Sequence, residues 1–240
     1  MNAGSVDYGQ VGDTPPIFAQ AGGAKIVYVA GQPITNGQGI LVKPDGGIKA
    51  LVDLKGKRIG FTKGSSAHNV VVLALEKIGL SYSDITPVYL SPPDGAAAFA
   101  RDSIDAWAVW DPYLAIGEIR SSGRVLAKAS DIGPTNSFYI ANRDFAARSP
   151  QLVSATIATL ARTADWAEAH RGEVGRLMAE ITGVDIDIQT LAAQRSGFAI
   201  GKITDDTIAT QQAVADRFFR LGLIPRAITV REAVWTAHQS

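Results

Sequence analysis

The sequence predicts an α/β protein of two similar lobes, and three observations predict it. The stretch Ser5-Val6-Asp7-Tyr8-Gly9-Gln10-Val11-Gly12-Asp13 returns without a gap as Ser103-Ile104-Asp105-Ala106-Trp107-Ala108-Val109-Trp110-Asp111, at a constant offset of 98 (5 to 103). Short β-type runs alternate with helical patterns along most of the chain, the signature of α/β architecture with mostly parallel sheets. Apolar residues make up 46% and charged residues 19% of 240 residues, ample for a buried core. Self-similarity at a spacing too long for a solenoid implies two copies of one unit, each running from a turn through an apolar strand to a helix start. Two such lobes facing each other make a cleft, and clefts bind small molecules.

The strands are expected at Lys25 to Ala30, Gly39 to Val42, Arg58 to Thr62, Thr86 to Ser91, Asp105 to Trp110, Arg124 to Ala127 and Ser137 to Ala141. Ser65 to Ile78 carries Val71, Leu75 and Ile78 at helical spacing and stops at Gly79, which suits a left-handed cap. Pro93 to Arg101 and Pro112 to Arg120 read as shorter helices. From Ser149 the texture changes to long helices: Ser149 caps, Pro150 opens the first turn, and Leu152, Ile157, Leu160 and Trp166 form one face. Thr204 to Gly222 is a second long helix. The lobes are placed at 1–43 with 136–240, and at 44–135, with crossings near Val42 to Pro44 and near Asn136 to Ile140, where Pro and Gly flank extended segments.

Composition removes several function classes. Lys and Arg (23) balance Asp and Glu (23) with no long run of like charge, so neither a nucleic-acid footprint nor a polybasic membrane patch is present, and a small ligand is expected. No apolar run reaches the roughly 18 residues needed to span a bilayer. With no cysteine, disulfides, thiolate nucleophiles and Cys-ligated metals are excluded, and His68, His170 and His238 have no metal-ligand spacing; no metal or cofactor is expected. Met1 to Gly4 lacks the features of a secretory signal, which as written would leave the chain in the cytoplasm.

Three helix starts carry the candidate chemistry. Asp13 precedes Thr14-Pro15-Pro16 and Asp111 precedes Pro112, so each copy ends in a carboxylate at a helix N-terminus. Capping of backbone amides accounts for both carboxylates, and it is compatible with a ligand role, because in parallel strand-to-helix units the helix start opens at the ligand-binding edge of the sheet. The third is Thr62-Lys63-Gly64-Ser65-Ser66-Ala67-His68, where a Gly and two hydroxyls open a helix after a strand. Unpaired amides and the helix dipole favour an anion there, while a plain Ser-capped helix is the alternative. The spacing is not that of a phosphate-binding loop, and no nucleotide is indicated. Trp107 reads as core and Trp110 as a cleft residue; their counterparts Gly9 and Gly12 leave the other lobe open. His68 is placed either against a bound anion or in packing.

Together these segments resemble the periplasmic solute-binding proteins of aliphatic sulfonate ABC transporters, a branch of the type II binding-protein fold shared with taurine, nitrate and thiamine-precursor binders. The stretches that carry the resemblance are Gly12-Asp13-Thr14-Pro15-Pro16, Asp53-Leu54-Lys55-Gly56-Lys57-Arg58-Ile59-Gly60 leading to Lys63-Gly64-Ser65-Ser66-Ala67-His68, Asp105 to Tyr113, and Leu221-Gly222-Leu223-Ile224-Pro225. The resemblance implies two α/β lobes with an interlobe cleft, a monomer, a periplasmic location, and delivery of a sulfonate anion to a membrane permease. It implies that the anion lies against Thr14, Gly64, Ser65, Ser66 and nearby amides, with Trp110 and Asp111 closing the site and no catalytic residue; Gly12, Asp13 and His68 stand beside them as further candidate ligand-binding residues. A sulfonate is permanently ionised, so it needs hydrogen-bond donors rather than a base. At about 1.5 to 3 kcal/mol per charge-assisted bond, three or four plus tail burial reach about −8 kcal/mol after ordering costs.

The family's first lobe begins with a strand, a ligand loop, a helix and a second strand ahead of the first Gly-Ser-Val-Asp, and the sequence here starts without them. Comparison of the two internal copies gives the same result: the strand and loop at Lys57 to His68 precede Ser103, whereas only four residues precede Ser5. An N-terminally truncated first lobe with exposed strand edges is therefore expected. Two other readings stand beside the carrier: an enzyme on the same scaffold, of the desulfinase or thiamine-pyrimidine type though without a cysteine nucleophile, and a fragment without ligand function.

Overall fold

A computed structural model describes residue 1, residues 4–33 and residues 36–236. It divides into two compact units, and the chain passes between them four times. Unit 1 comprises Met1–Pro33, Thr135–Ala169 and Gly197–Ser240; unit 2 comprises Ile34–Pro134 and His170–Ser196.

Unit 1 opens with β1 (Tyr8–Gly12), α1 (Thr14–Ala21) and β2 (Ile26–Pro33). Unit 2 then contributes β3 (Gln38–Val42), β4 (Arg58–Phe61), α2 (Ser66–Lys77), β5 (Thr86–Tyr89), α3 (Pro92–Ala100), β6 (Ala106–Trp110), α4 (Tyr113–Ser121), β7 (Arg124–Lys128) and α5 (Ala129–Ile132). The chain returns to unit 1 for β8 (Asn136–Asn142), α6 (Arg143–Arg148) and α7 (Pro150–Ala169), supplies α8 (Arg171–Thr182) and α9 (Ile186–Arg195) to unit 2, and ends with α10 (Asp205–Arg220) in unit 1.

The repeat read in the sequence has a structural counterpart. With the offset of 98, β1 (Tyr8–Gly12) falls on β6 (Ala106–Trp110) residue for residue, and a helix follows each. In unit 2 the strand order is β5-β4-β6-β3-β7, and in unit 1 it is β1-β8-β2. Contrary to the expected mostly parallel sheets, among the described strands only the β4–β5 and β4–β6 pairs are parallel. The first strand after each of the first two crossings, β3 and then β8, runs antiparallel to both of its neighbours, so the unit 2 sheet is mixed and the described strands of the unit 1 sheet are antiparallel throughout.

The lobe boundaries also differ from the sequence reading. β3, assigned there to lobe 1 within 1–43, pairs with β6 and β7 and belongs to unit 2. The return falls at Thr135, and residues 170–196, placed in lobe 1, join unit 2, where α9 packs on α4. Periodicity identifies a helix with an apolar face, but not the sheet on which it lies.

Both sheets are buried on two faces. In unit 1, Ile26 and Tyr28 of β2 join Ile17, Phe138, Ile140 and Phe218 on one side, while Val27 and Val29 join Ala141, Ala146 and Val153 on the other. This is the period-two alternation of a strand. In unit 2, Trp107 is buried between α3 and α4, as expected for a core residue. A Cβ at Gly95 would lie 2.5 Å from the Trp107 indole nitrogen, and one at Gly117 would press on Leu41 and the same ring. Two helices can straddle the indole only because those positions lack side chains. The α7 face differs from its sequence assignment: Leu152 and Trp166 are exposed, and Val153, Ala164 and Ala167 are the buried set.

Candidate functional site

The parallel pairing of β4 with β6, with Ile59 opposite Ala106 and Gly60 opposite Trp107, brings the loops that follow them to one carboxyl edge of the unit 2 sheet. That edge collects Gly64, Ser65, Ser66, His68, Trp110 and Asp111. The first loop turns at Gly64, whose φ of 73° lies in the left-handed region that glycine adopts without steric penalty. Ser65 then caps α2 as its sequence position suggested: its Oγ accepts from the His68 amide at 3.4 Å and donates to the Thr62 carbonyl at 2.6 Å.

His68, placed by the sequence either against an anion or in packing, is fully buried. Its Nδ1 accepts the Gly64 amide at 3.2 Å, so the proton resides on Nε2, which faces Tyr82 Oη at 2.9 Å. The ring stacks on Phe61 at 4.8 Å between centroids, and Tyr82 Oη continues to Tyr89 Oη at 3.1 Å. Burial, aided by the charge of Lys63, pushes the imidazole down to about 4, so it is neutral at physiological pH. His68 therefore supports the loop from behind. The Gly64 amide and the Ser65 hydroxyl, both read as ligand donors, are engaged inside the loop. Ser66 is half-buried and Ala67 fully buried, and their amides, in the first turn of α2, have no preceding turn to bond. Lys63 is held nearby, with Nζ 5.3 Å from the Tyr89 ring centroid.

At the end of β6, Trp110 is half-buried against the unit 2 core. Asp111 caps α4, its Oδ1 accepting from the Ala115 amide at 3.0 Å. Its Oδ2 lies 3.3 Å from Arg195 Nε, and Arg195 Nη1 lies 2.6 Å from Glu118 Oε2, with Asp111 and Arg195 largely buried. Two carboxylates share one guanidinium that is closer to Glu118. Burial therefore prevails over the pull of Arg195, and Asp111 is pushed up to about 6.

In unit 1 the equivalent turn is Gly12-Asp13-Thr14, with Gly12 paired to Ser137. Asp13 and Thr14 are both buried, and the Asp13 side chain does not cap α1. An N-cap oxygen bonds the amide two or three residues on, and those positions are Pro15 and Pro16, which have no N–H. Instead Asp13 Oδ1 accepts from the Thr14 hydroxyl at 2.8 Å, so that hydroxyl, read as a ligand donor, is used within the turn. Gln211 on α10 holds the turn, its Nε2 donating to the Asp13 carbonyl at 2.6 Å and to Tyr28 Oη at 3.1 Å.

Known proteins share both the sequence and the fold. The NMT1/THI5-like family pattern matches residues 1–173. The putative aliphatic sulfonates-binding protein of Escherichia coli K12 is 37% identical over 241 residues, covering 100% of this chain and 76% of that protein. This chain belongs to the NMT1/THI5-like family, on the branch of the aliphatic sulfonate-binding proteins. The branch counterpart from Bacillus subtilis 168 is 30% identical over 236 residues, across 98% of this chain and 71% of its own. The alkanesulfonate-binding protein SsuA from Xanthomonas axonopodis pv. citri, solved bound to MOPS, superposes with a TM-score of 0.92 at 38% identity, over 98% of this chain and 82% of that one. These relatives are binding proteins rather than enzymes, and the fold is the two-lobed α/β fold of the branch.

Three residues of this family member that position its candidate site were not identified from the sequence. Arg195 and Gln211 lie far along the chain from Asp111 and Asp13, and no local spacing links them. Tyr82, 14 residues from His68, carried only one signal, an aromatic just beyond a helix whose first turn holds a histidine. His238 lies outside the described residues.

Proposed function

We propose that this chain is the solute-binding component of an ABC importer, taking up an aliphatic sulfonate in the periplasm and delivering it to a membrane permease. The observation that carries the reading is the 37% identity to the Escherichia coli aliphatic sulfonates-binding protein along the whole chain. The chemistry of the unit 2 edge supports it. Ser66 and the first amides of α2 offer donors and a partial positive charge, which suit an anion that never needs to be deprotonated. The half-buried Trp110 offers an apolar surface suited to an alkyl tail.

Calorimetric titration with ethanesulfonate, longer alkanesulfonates and MOPS tests the reading, with sulfate and taurine as comparators. Saturable one-to-one binding of alkanesulfonates, weaker for sulfate, is expected. Absence of binding by every sulfonate would overturn it.

A further inference from the structure

We infer that the Tyr82 hydroxyl locks His68 in the one tautomer that holds the turn at Gly64, which makes Tyr82 a positioning residue for sulfonate binding from outside that turn. Its effect on binding rests on the sulfonate-carrier reading; the lock itself rests on bond directions alone. Phe61 at the end of β4 pairs with Tyr89 at the end of β5, so the two parallel strands finish side by side. The Thr62 hydroxyl ties them further by donating to the Leu90 carbonyl at 2.8 Å. Tyr89 therefore stands beside the strand that leads into the turn. Tyr82 belongs to the short 3-10 turn Tyr82–Asp84 ahead of β5, and its ring lies 5.5 Å from that of His68.

A backbone amide can only donate, and this fixes every proton in the row. The Gly64 N–H at 3.2 Å requires a bare Nδ1, the neutral ring then carries its proton on Nε2, and Tyr82 Oη at 2.9 Å accepts it. The Tyr82 proton is left for Tyr89 Oη at 3.1 Å, and Tyr89 is 44% exposed, so the row ends where its last hydroxyl meets water. In the other tautomer Nδ1–H and the Gly64 N–H would confront one another, two donors at hydrogen-bond distance in a buried place where the mismatch is costly. Phe61 stacks on the imidazole with 28° between the ring planes, which opposes rotation of the ring to exchange its nitrogens. The tautomer is thus chosen at Tyr82, 14 residues from His68, and felt at Gly64, two residues before Ser66.

Tyr82→Phe deletes one oxygen and keeps the ring, whereas Tyr89→Phe leaves the Tyr82 acceptor in place. Heteronuclear NMR of the imidazole nitrogens reads the tautomer, with His68→Asn identifying the His68 signals, and the Gly64 amide proton shift reads the turn. The parent should show Nε2–H alone. Tyr82→Phe should populate Nδ1–H, move the Gly64 amide upfield and raise the Kd for ethanesulfonate about three- to tenfold, the scale of one net hydrogen bond. Tyr89→Phe should keep the parent tautomer and a Kd within about twofold of the parent's. An unchanged tautomer in Tyr82→Phe would overturn the inference even if affinity or urea stability fell, because that is the result of a packing role. A shifted tautomer with the parent's Kd would overturn it too, as would equal weakening by Tyr89→Phe. A parent that binds no sulfonate would remove the carrier reading and the binding role of Tyr82 with it, while the two NMR signals, read without ligand, still decide the lock.

Discussion

His68 and Asp111 titrate in opposite senses over nearly the same range. His68 falls from 6.5 to about 4, so between those values the folded chain binds fewer protons than the unfolded one, and its contribution to stability rises with pH. Asp111 is raised from 3.8 to about 6, so the folded chain holds a proton that the unfolded one has lost, and its contribution falls with pH across that interval. The two slopes oppose one another in the parent. Asn at position 68 keeps an acceptor for the Gly64 amide but does not titrate. Urea midpoints of His68→Asn should therefore decline from pH 4 to 6, and those of Asp111→Asn should decline as pH falls from 6.5 to 4. A His68→Asn profile parallel to the parent's would refute the assignment. Of the ligand donors, Ser66 is the side chain on which binding is expected to depend: Ser66→Ala should cost about 1.5 to 3 kcal/mol, roughly 10- to 150-fold in Kd by calorimetry, with unchanged urea stability.

At the scale of elements, α3 and α4 approach β6 through two glycines, and α9 is held to α4 by a shared guanidinium. Gly95→Ala or Gly117→Ala forces the Trp107 ring or Leu41 to move and should destabilise the chain by about 1 to 3 kcal/mol, read from the urea midpoint. Arg195→Met leaves Asp111 and Glu118 in mutual repulsion within a largely buried site, and a loss of about 3 to 5 kcal/mol is expected. Combining it with Asp111→Asn should recover part of that loss, because the pair of uncompensated carboxylates is reduced to one.

For the whole molecule, a ligand that binds only the folded chain stabilises it by mass action. An alkanesulfonate at about 100 times its Kd adds about 2.7 kcal/mol, and for a chain of this length the melting temperature should rise by about 5 to 10 °C. Calorimetric scans at several ligand concentrations check it, and the shift should grow with the logarithm of concentration.

The sequence by itself determined the strands, most of the helices, the internal repeat, the family and the stretch that opens α2, because all of these are local patterns of apolar spacing, capping and turn chemistry. Tertiary structure decided which sheet receives β3 and the α8–α9 pair, and which groups near the site are already engaged. Thr14, Gly64 and Ser65 read as donors, but the groups that engage them, the Asp13 carboxylate, His68 Nδ1 and the Thr62 carbonyl, are settled only once the turns close. Arg195 and Gln211 lie too far along the chain for any local pattern to reach. The physical reason is common to all of these: a hydrogen-bonding group has several partners within reach in sequence, and only packing selects one of them.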